Sequence, residues 1–266
     1  MSGFFVATYL HPTSPRDNAE TAARIACLLR RPVLGALTRM YLQVGDRDLG
    51  HKPVTDSELI ADLTAPGPHA IALDNGRGTL EAIASIQLAL PYSSGTDTSI
   101  PLVSFIVVPY VEAARTALVD TAVALAEALR SAWGMMSVEP TLAIAHKAAL
   151  HMGPQKDERA HYPQMTDDRA RYRRAPFVYD SKIDRAIGGP EWGTLLGSKH
   201  LERLSLDAVR STGAFAEIRE LVSGGAFLAL TTNPGDALSD RIVELVAAGR
   251  RALEPIVLDV SAIKPG

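Results

Sequence analysis

The sequence has one cysteine, few aromatic residues and no long apolar run. Cys27 is the single cysteine among 266 residues, so an intramolecular disulfide and a thiolate metal cluster are both excluded. It lies in the apolar run AARIACLL, which favours a small core residue over a reactive nucleophile. Aromatic residues make up only 6%, and no apolar run approaches the roughly 20 residues that cross a bilayer.

Neither sign of charge dominates the chain. It has 27 lysine and arginine residues against 30 aspartate and glutamate residues, a formal net charge of −3. A charge this small gives no reason to expect nucleic acid or an anionic membrane as a partner, although it leaves room for a local patch. The first residues, MSGFFVATYLHPTSPRD, lack a basic segment before their short apolar run, unlike a secretory signal. We expect a cytoplasmic protein with no membrane partner, and a homodimer is compatible with the sequence.

Short apolar runs and amphipathic stretches alternate along the chain and predict an α+β fold. The segments DNGRG and SSGTDTS contain turn residues, so the runs around them should pair as antiparallel hairpins. Apolar residues at intervals of three and four predict a long helix from Glu112 to Trp133. We expect an antiparallel or mixed sheet packed with amphipathic helices. The predicted strands are 4–10, 39–45, 70–76, 81–92, 101–110, TLAIA (141–145), GAFLALTT (225–232) and IVLDV (256–260), and further helices are TDSELIADL (55–63) and LSDRIVELVAAGRRAL (238–253).

The domain organisation is predicted from the place where the alternation of apolar runs and amphipathic stretches is interrupted. Residues 151–187 contain mixed charges and little apolar periodicity, which predicts a long surface connection. It would join an N-terminal half, 1–150, to a C-terminal half, 188–266. The length suits one domain over 1–266, with these parts as its internal divisions.

The stretch IGGPEWGTLLGSKHLERL (187–204) has the glycines of a phosphate-binding loop but not its order. Thr194 and Leu195 stand where a Walker loop needs lysine and then serine or threonine. The chain also contains no Gly-x-Ser-x-Gly sequence, the motif of many serine hydrolases. We interpret the stretch as a turn that positions Trp192 and begins a helix capped by Ser198, with His200 on the surface.

Histidines and charged residues before and within this stretch raise three further possibilities: a metal site, a nucleic-acid patch and a hydrolase site. His146 and His151, or His161 with Asp157 and Glu158, lack a metal-binding spacing, so we expect no metal and no cofactor. The sequence RARYRR (169–174) could form a nucleic-acid patch, but the neighbouring TDD and YDSKID favour a solvated loop or a protein-contact surface. A hydrolase without a sequence motif remains an alternative, with a site built from Asp180, Asp184, His161 or His200.

The order of several segments resembles a known family. These segments are SPRDNAETAARIACLL, PVTDSELIADL and ALDNG, then paired strands and a long helix ending in tryptophan, then EWGTLLGSKHLERL and GGAFLALTTNPGDALSDRIVELVAAGRRALEP. Together they resemble immunity protein family 52 of bacterial polymorphic toxin systems, including type VI secretion. The resemblance extends over about residues 4–258.

This resemblance implies a protein that binds and neutralises one cognate toxin, encoded by an adjacent gene, and that is not an enzyme. Such a protein needs a rigid scaffold with a few anchor residues and complementary charge. We therefore expect a toxin-binding surface at the 151–187 connection and the Trp192 turn. Its candidate residues are Tyr172, Arg173, Arg174, Asp180 and Trp192. The hydrolase and a nucleic-acid-binding regulator that uses RARYRR remain the alternatives.

Overall fold

A single large sheet organises the protein in our computed structural model, which describes residues 1–10, 19–34, 37–44, 47–64, 69–74, 85–89, 102–149, 161–178 and 182–264. Its strands are β1 Gly3–Leu10, β2 Arg39–Val44, β3 Arg47–Pro53, β4 His69–Asp74, β5 Ser85–Ala89, β6 Leu102–Val107, β7 Ser131–Glu139, β8 Gly193–Leu196, β9 Glu217–Glu220 and β10 Ala226–Ala229. They lie in the order β3-β2-β4-β5-β6-β1-β7-β8-β10-β9. Neighbouring strands are antiparallel throughout.

Helices cover both faces of this sheet. They are α1 Ala19–Leu29, α2 Asp56–Thr64, α3 Arg115–Ala128, α4 Leu142–Ala149, α5 Asp167–Val178, α6 Ser198–Leu201, α7 Leu206–Ser211 and α8 Arg241–Ala252. Apolar residues of α1, α2 and α3 pack on one face, and those of α4, α5, α7 and α8 on the other. None of the helices in the described ranges is long and apolar enough to cross a bilayer.

The central strand β1 shows why the sheet is buried on both sides. Successive side chains of a strand point to opposite faces, and Phe4 and Val6 join the α3 side while Phe5 and Ala7 join the α5 side. Each of these four side chains is at most 1% exposed. A strand covered on both faces needs a continuous apolar run, which is what FFVATYL supplies.

Several sequence-based expectations are confirmed by the structure. The fold is α+β, and β4, β5 and β6 pair in antiparallel order as expected. The turns predicted between them, DNGRG and SSGTDTS, lie outside the described residues. The helix predicted over TDSELIADL begins after Thr55, whose hydroxyl accepts from the Glu58 backbone N–H at 3.3 Å while the Glu58 carboxylate accepts from the Thr55 N–H at 2.9 Å.

Four local predictions are wrong. The helix predicted to reach Trp133 ends earlier, because Arg130 adopts a left-handed φ of 47° and the chain enters β7. Trp133 therefore lies in a strand and stacks on Tyr9, with ring centroids 5.1 Å apart. TLAIA is part of α4, and IVLDV contributes only one bridge, Ile187 to Val257. Cys27 is exposed, since it lies on the outer side of α1.

Residues 151–187 differ most from the sequence-based interpretation. Their described part contains α5, and its buried residues include Arg169, Ala170, Tyr172, Arg173 and Ala175. A surface connection would leave these side chains in solvent. The helix was missed because its inner face contains arginines, which break the apolar periodicity that usually identifies a buried face.

Candidate functional site

Two arginines and two glutamates form a buried ionic network beside the sheet. Arg173 Nη2 lies 2.6 Å from Glu139 Oε1, and Arg173 Nε lies 2.8 Å from Glu191 Oε1. Arg169 Nη2 lies 2.6 Å from Glu191 Oε2. Each side chain is at most 1% exposed. The four charges sum to zero, so this interior site is electrically balanced.

Three separate elements position these charges. Glu139 is the last residue of β7, and Glu191 comes two residues before β8, the strand that pairs with β7. Arg169 and Arg173 are four residues apart on α5, a spacing that places both on one face of a helix. The network therefore joins α5 to the neighbouring ends of two central strands.

The charged state of the network follows from its geometry. Burial by itself would raise the pKa of the Glu191 carboxyl, but the two guanidinium groups outweigh burial and lower that pKa to about 2. Burial opposes the charge of Arg173, yet the carboxylates raise the pKa of its guanidinium well above the ordinary value. Glu191 and Arg173 therefore stay ionised at neutral pH. They are suited to holding structure rather than to transferring protons.

The segment GGPEWG packs tightly against this network. A Cβ atom on Gly188 would lie 2.4 Å from the Tyr172 carbonyl oxygen, so α5 and this segment approach as closely as glycine permits. Trp192 is 2% exposed, and its indole N–H donates to the Thr231 hydroxyl at 2.9 Å. GTLL, which the sequence predicts to be part of a turn, forms the buried strand β8.

The structure places most of the predicted toxin-binding residues in the interior. Tyr172 is 8% exposed, Arg173 is fully buried and Trp192 is nearly so. These three side chains therefore do not form the exposed surface that the sequence suggested, because the network and the sheet enclose them. Arg174 is partly exposed and donates to the Lys264 carbonyl oxygen at 2.7 Å. Asp180 lies outside the described residues.

The arginines of RARYRR do not form an open basic patch. Arg169 and Arg173 belong to the buried network. Arg171 donates to the Ile263 carbonyl oxygen at 3.0 Å and pairs with Asp168 at 2.8 Å. With Arg174 bound to Lys264, all four arginines have partners within the protein. The arginine, alanine and tyrosine residues of this segment are therefore explained by the packing of α5 against the rest of the protein.

Of the residues proposed for a hydrolase, Asp184 lies near enough to His200 for its carboxylate to act on the imidazole. His200 is fully buried rather than on the surface, and burial lowers the pKa of its imidazole to about 4. The Ser198 side chain does not cap α6; Gly197 occupies the N-cap position. Asp184 Oδ2 pairs with Lys199 Nζ at 2.6 Å, and His161 is exposed before α5.

Among the described residues, no three histidine, cysteine or acidic side chains could together hold a metal ion. His151, Asp157 and Glu158 lie outside them.

An open cleft lies on the C-terminal side of this region. It has a volume of about 510 Å³ and is bounded by the turn 182–186, by Arg203 and by the segment 255–259. Its charged residues are Lys182, Asp184, Arg185, Arg203 and Asp259. We call it the Arg185–Arg203 cleft. It has both the space and the charged lining to receive a ligand.

Sequence reasoning missed the glutamates of the network and the arginines of the cleft. One signal could have identified Glu139, because it ends the run WGMMSVE, where a charge follows mostly apolar and small residues. Arg169 and Arg173 at helical spacing supplied a second signal. No local pattern distinguishes Arg185 and Arg203, since they come together only through the packing of the turn 182–186 and the region after α6.

Comparison with known proteins shows a shared fold. No protein family and no curated protein matches the sequence. Among solved structures, the Pseudomonas aeruginosa T6SS protein PA0821 matches with a TM-score of 0.62 and 12% sequence identity. The match covers 97% of this chain and 73% of that one. At this identity the likeness establishes the fold, and none of the comparisons supports membership of immunity protein family 52. This chain is thus similar in fold, over nearly all of its length, to a type VI secretion protein.

Proposed function

We propose that the protein binds and neutralises a cognate toxin of a type VI secretion system and that it does so without catalysis. The observation behind the proposal is the fold shared with the T6SS protein PA0821 over 97% of this chain. The segments that resemble immunity protein family 52 point to the same type of system. In this proposal the chain acts in the cytoplasm, and the toxin is encoded beside it.

The architecture suits a protein that inhibits by binding. A rigid surface loses little conformational entropy when a partner docks, which leaves more of the contact energy for affinity. Here the sheet is covered on both faces, and the buried network ties α5 to β7 and β8. Loops anchored to this framework would meet the toxin in a preformed arrangement.

A growth assay tests the proposal directly. Each protein encoded immediately beside this gene is expressed in a bacterial host, alone and together with the full-length chain. We expect one of them to stop growth when expressed alone and to be tolerated when this chain is present. The purified pair should then form a complex of fixed stoichiometry by isothermal titration calorimetry. If no flanking product is toxic, or if a toxic one is not neutralised, the proposal is wrong.

A catalytic mode of protection has a different signature in the same assay. An enzyme would protect at amounts far below those of the toxin, whereas a binding protein must be at least equal to it in number. We therefore expect growth to recover only when this chain reaches about the level of the toxin, measured by quantitative immunoblotting with graded induction. Full protection at a small fraction of the toxin level would contradict inhibition by binding.

A further inference from the structure

We infer that the Arg185–Arg203 cleft binds an acidic peptide segment of the partner, with the two guanidinium groups pairing with its carboxylates. This inference rests on the proposed function, and it adds the place and the chemistry of the contact. It uses residues that lie outside the buried network and outside RARYRR. Its basis is the shape of the cleft, the charges at its rim and the state of the neighbouring carboxylates.

The walls of the cleft are fixed by backbone hydrogen bonds. The Ile187 N–H donates to the Ile256 carbonyl at 2.8 Å, and the Leu258 N–H donates to the Ile187 carbonyl at 2.8 Å. On the other side, the N–H groups of Arg185 and Ala186 both donate to the Lys182 carbonyl at 2.9 Å. Arg185 therefore projects from a tight turn that is joined to the opposite wall.

The guanidinium groups of Arg185 and Arg203 are available to bind a ligand. Arg185 and Arg203 are exposed, and neither guanidinium group has an ion pair or hydrogen bond with any residue of the described ranges. Most other arginines nearby are engaged: Arg171, Arg174 and Arg250 each donate to a backbone carbonyl. Arg185 and Arg203 thus differ from their neighbours in having their donors directed to solvent.

The cleft is lined by more cations than carboxylates: Lys182, Arg185 and Arg203 against Asp184 and Asp259. Asp184 pairs with Lys199 at 2.6 Å, and Asp259 accepts from the Ser261 N–H at 2.9 Å. That hydrogen bond from the Ser261 backbone lowers the pKa of the Asp259 carboxyl. Lys199 therefore neutralises Asp184, whereas Asp259 stays ionised and offsets part of the positive charge. Whereas the chain has a net charge of −3, the rim of this cleft presents two unpaired cations.

The size and lining favour a peptide over a small inorganic anion. About 510 Å³ is far more than one phosphate occupies and is enough for side chains of a short loop. Pro255 is exposed at the rim, and Val257 and Leu258 are partly exposed, so the cleft also offers apolar contact. Guanidinium groups bind carboxylates through two parallel hydrogen bonds, which gives both strength and orientation. A segment that combines glutamate or aspartate with aliphatic residues matches these features.

A peptide titration tests the cleft without knowledge of the toxin. The probes are blocked hexapeptides of alternating glutamate and leucine, or glutamine and leucine, added to the full-length chain and followed by heteronuclear NMR. We expect the glutamate peptide to shift the signals of residues 182–186 and 255–259 and the glutamine peptide to leave them unchanged. The double variant R185E/R203E should bind the glutamate peptide at least about tenfold more weakly, because two charge-assisted contacts are lost.

A matched variant separates specific binding from a general charge effect. R24E/R241E makes the same change in charge at two exposed arginines, one on each face of the sheet and neither in the cleft. It should bind the glutamate peptide as the unaltered chain does, and all variants should keep the same circular dichroism. Equal weakening in both double variants, or equal binding of the two peptides, would overturn the inference. Displacement of the peptide by millimolar inorganic phosphate would also overturn it, since the site would then be one for small anions.

The growth assay then links the cleft to the toxin and keeps the two proposals distinguishable. We expect R185E/R203E to lose neutralisation while R24E/R241E retains it. If R185E/R203E neutralises the toxin fully, the inference about the cleft is wrong and the proposed function stands. If the unaltered chain neutralises no flanking product, the proposed function is wrong, and the peptide titration still decides whether the cleft binds acidic segments.

Discussion

Arg173 on α5 and Glu139 at the end of β7 are 34 residues apart in sequence, yet Nη2 of the arginine lies 2.6 Å from Oε1 of the glutamate. Both side chains are fully buried. Removing such a pair from water has a large cost, which is recovered only when the geometry is good and other groups complete the hydrogen bonding. Glu191 supplies part of that hydrogen bonding, since it accepts from Arg169 as well as from Arg173. Among the described residues, Glu139 Oε2, Arg169 Nε and Arg173 Nη1 are buried without a hydrogen-bond partner.

Substituting one acid of this network should destabilise the fold strongly. In Glu191→Gln the side-chain volume is retained, but two buried guanidinium groups lose their shared carboxylate. We expect the free energy of unfolding to fall by about 3–5 kcal/mol, the usual cost of leaving a buried charge without its partner. Urea denaturation at pH 7, followed by circular dichroism, measures this loss.

The same chemical change at the surface provides the control. Glu220 pairs with Arg210 at 2.6 Å, but its side chain is 65% exposed. For Glu220→Gln we expect a loss below about 1 kcal/mol, because water screens and replaces the interaction. A similar loss of unfolding free energy in the two variants would show that burial does not determine how much the Glu191 network contributes to stability.

His200 should make stability depend on pH between about 6.5 and 4. Burial lowers the pKa of its imidazole from the ordinary 6.5 to about 4 in the folded chain. At pH 5 the unfolded chain therefore binds a proton that the folded chain does not, and acid favours unfolding. From pH 7 to pH 5 we expect this residue to account for a loss of about 2 kcal/mol in the free energy of unfolding, measured by urea denaturation at both values.

Two variants isolate the contribution of this histidine. His200→Gln should reduce the difference in unfolding free energy between pH 7 and pH 5 by about 2 kcal/mol, whatever its effect at pH 7. His161→Gln, the same change at an exposed histidine, is the comparison variant. An unchanged difference in His200→Gln would mean that the pKa of the buried imidazole is not lowered by the fold.

Gly188 should tolerate no side chain. A methyl group there would lie 2.4 Å from the Tyr172 carbonyl oxygen and 2.6 Å from the Ala175 Cβ atom, so α5 would have to move. We expect Gly188→Ala to lower the free energy of unfolding by about 1–3 kcal/mol, as overpacking commonly does. Gly235→Ala is the comparison, since the atoms nearest to its new methyl group belong to the Asn233 side chain, 3.1 Å away at the closest. Equal losses in the two variants would contradict the close approach of α5 to the segment GGPEWG.

Trp192 should affect stability and leave partner contacts unchanged. In Trp192→Phe the hydrogen bond to the Thr231 hydroxyl is lost and a small cavity forms beside Phe227. We expect the free energy of unfolding to fall by about 1–3 kcal/mol. Affinity for a neutralised toxin, measured by calorimetry well below the melting temperature, should stay within about twofold. A large loss of affinity in a folded Trp192→Phe variant would show that Trp192 takes part in toxin binding after all.

The sequence predicted the structure well where the structure depends on interactions between residues that are close in the chain. The apolar run of β1, the start of α2 next to Thr55 and the pattern of α8 each depend on neighbours within a few residues. The α+β class follows from the alternation of such segments. The predictions failed where two patterns overlap, as at Trp133, whose spacing continues the stripe of α3 although it belongs to β7.

The candidate sites could be predicted only in part. The sequence singled out Arg173 and Trp192, and both are important to the structure, but as buried residues rather than as an exposed surface. Charge is usually a sign of exposure, so Arg169 and Arg173 were placed in solvent. The exception arises because Glu139 and Glu191, which are distant in sequence, neutralise them within the fold.

The sequence by itself determined the α+β class, the antiparallel pairing of β4, β5 and β6 and the start of α2, because these depend on turn residues, alternation and capping within short segments. Only the tertiary structure decided that α5 is internal, that GTLL is a central strand and that Arg185 and Arg203 share a cleft. The physical reason is that the free energy of a charge depends on what surrounds it, and its surroundings are assembled from residues far apart in the chain.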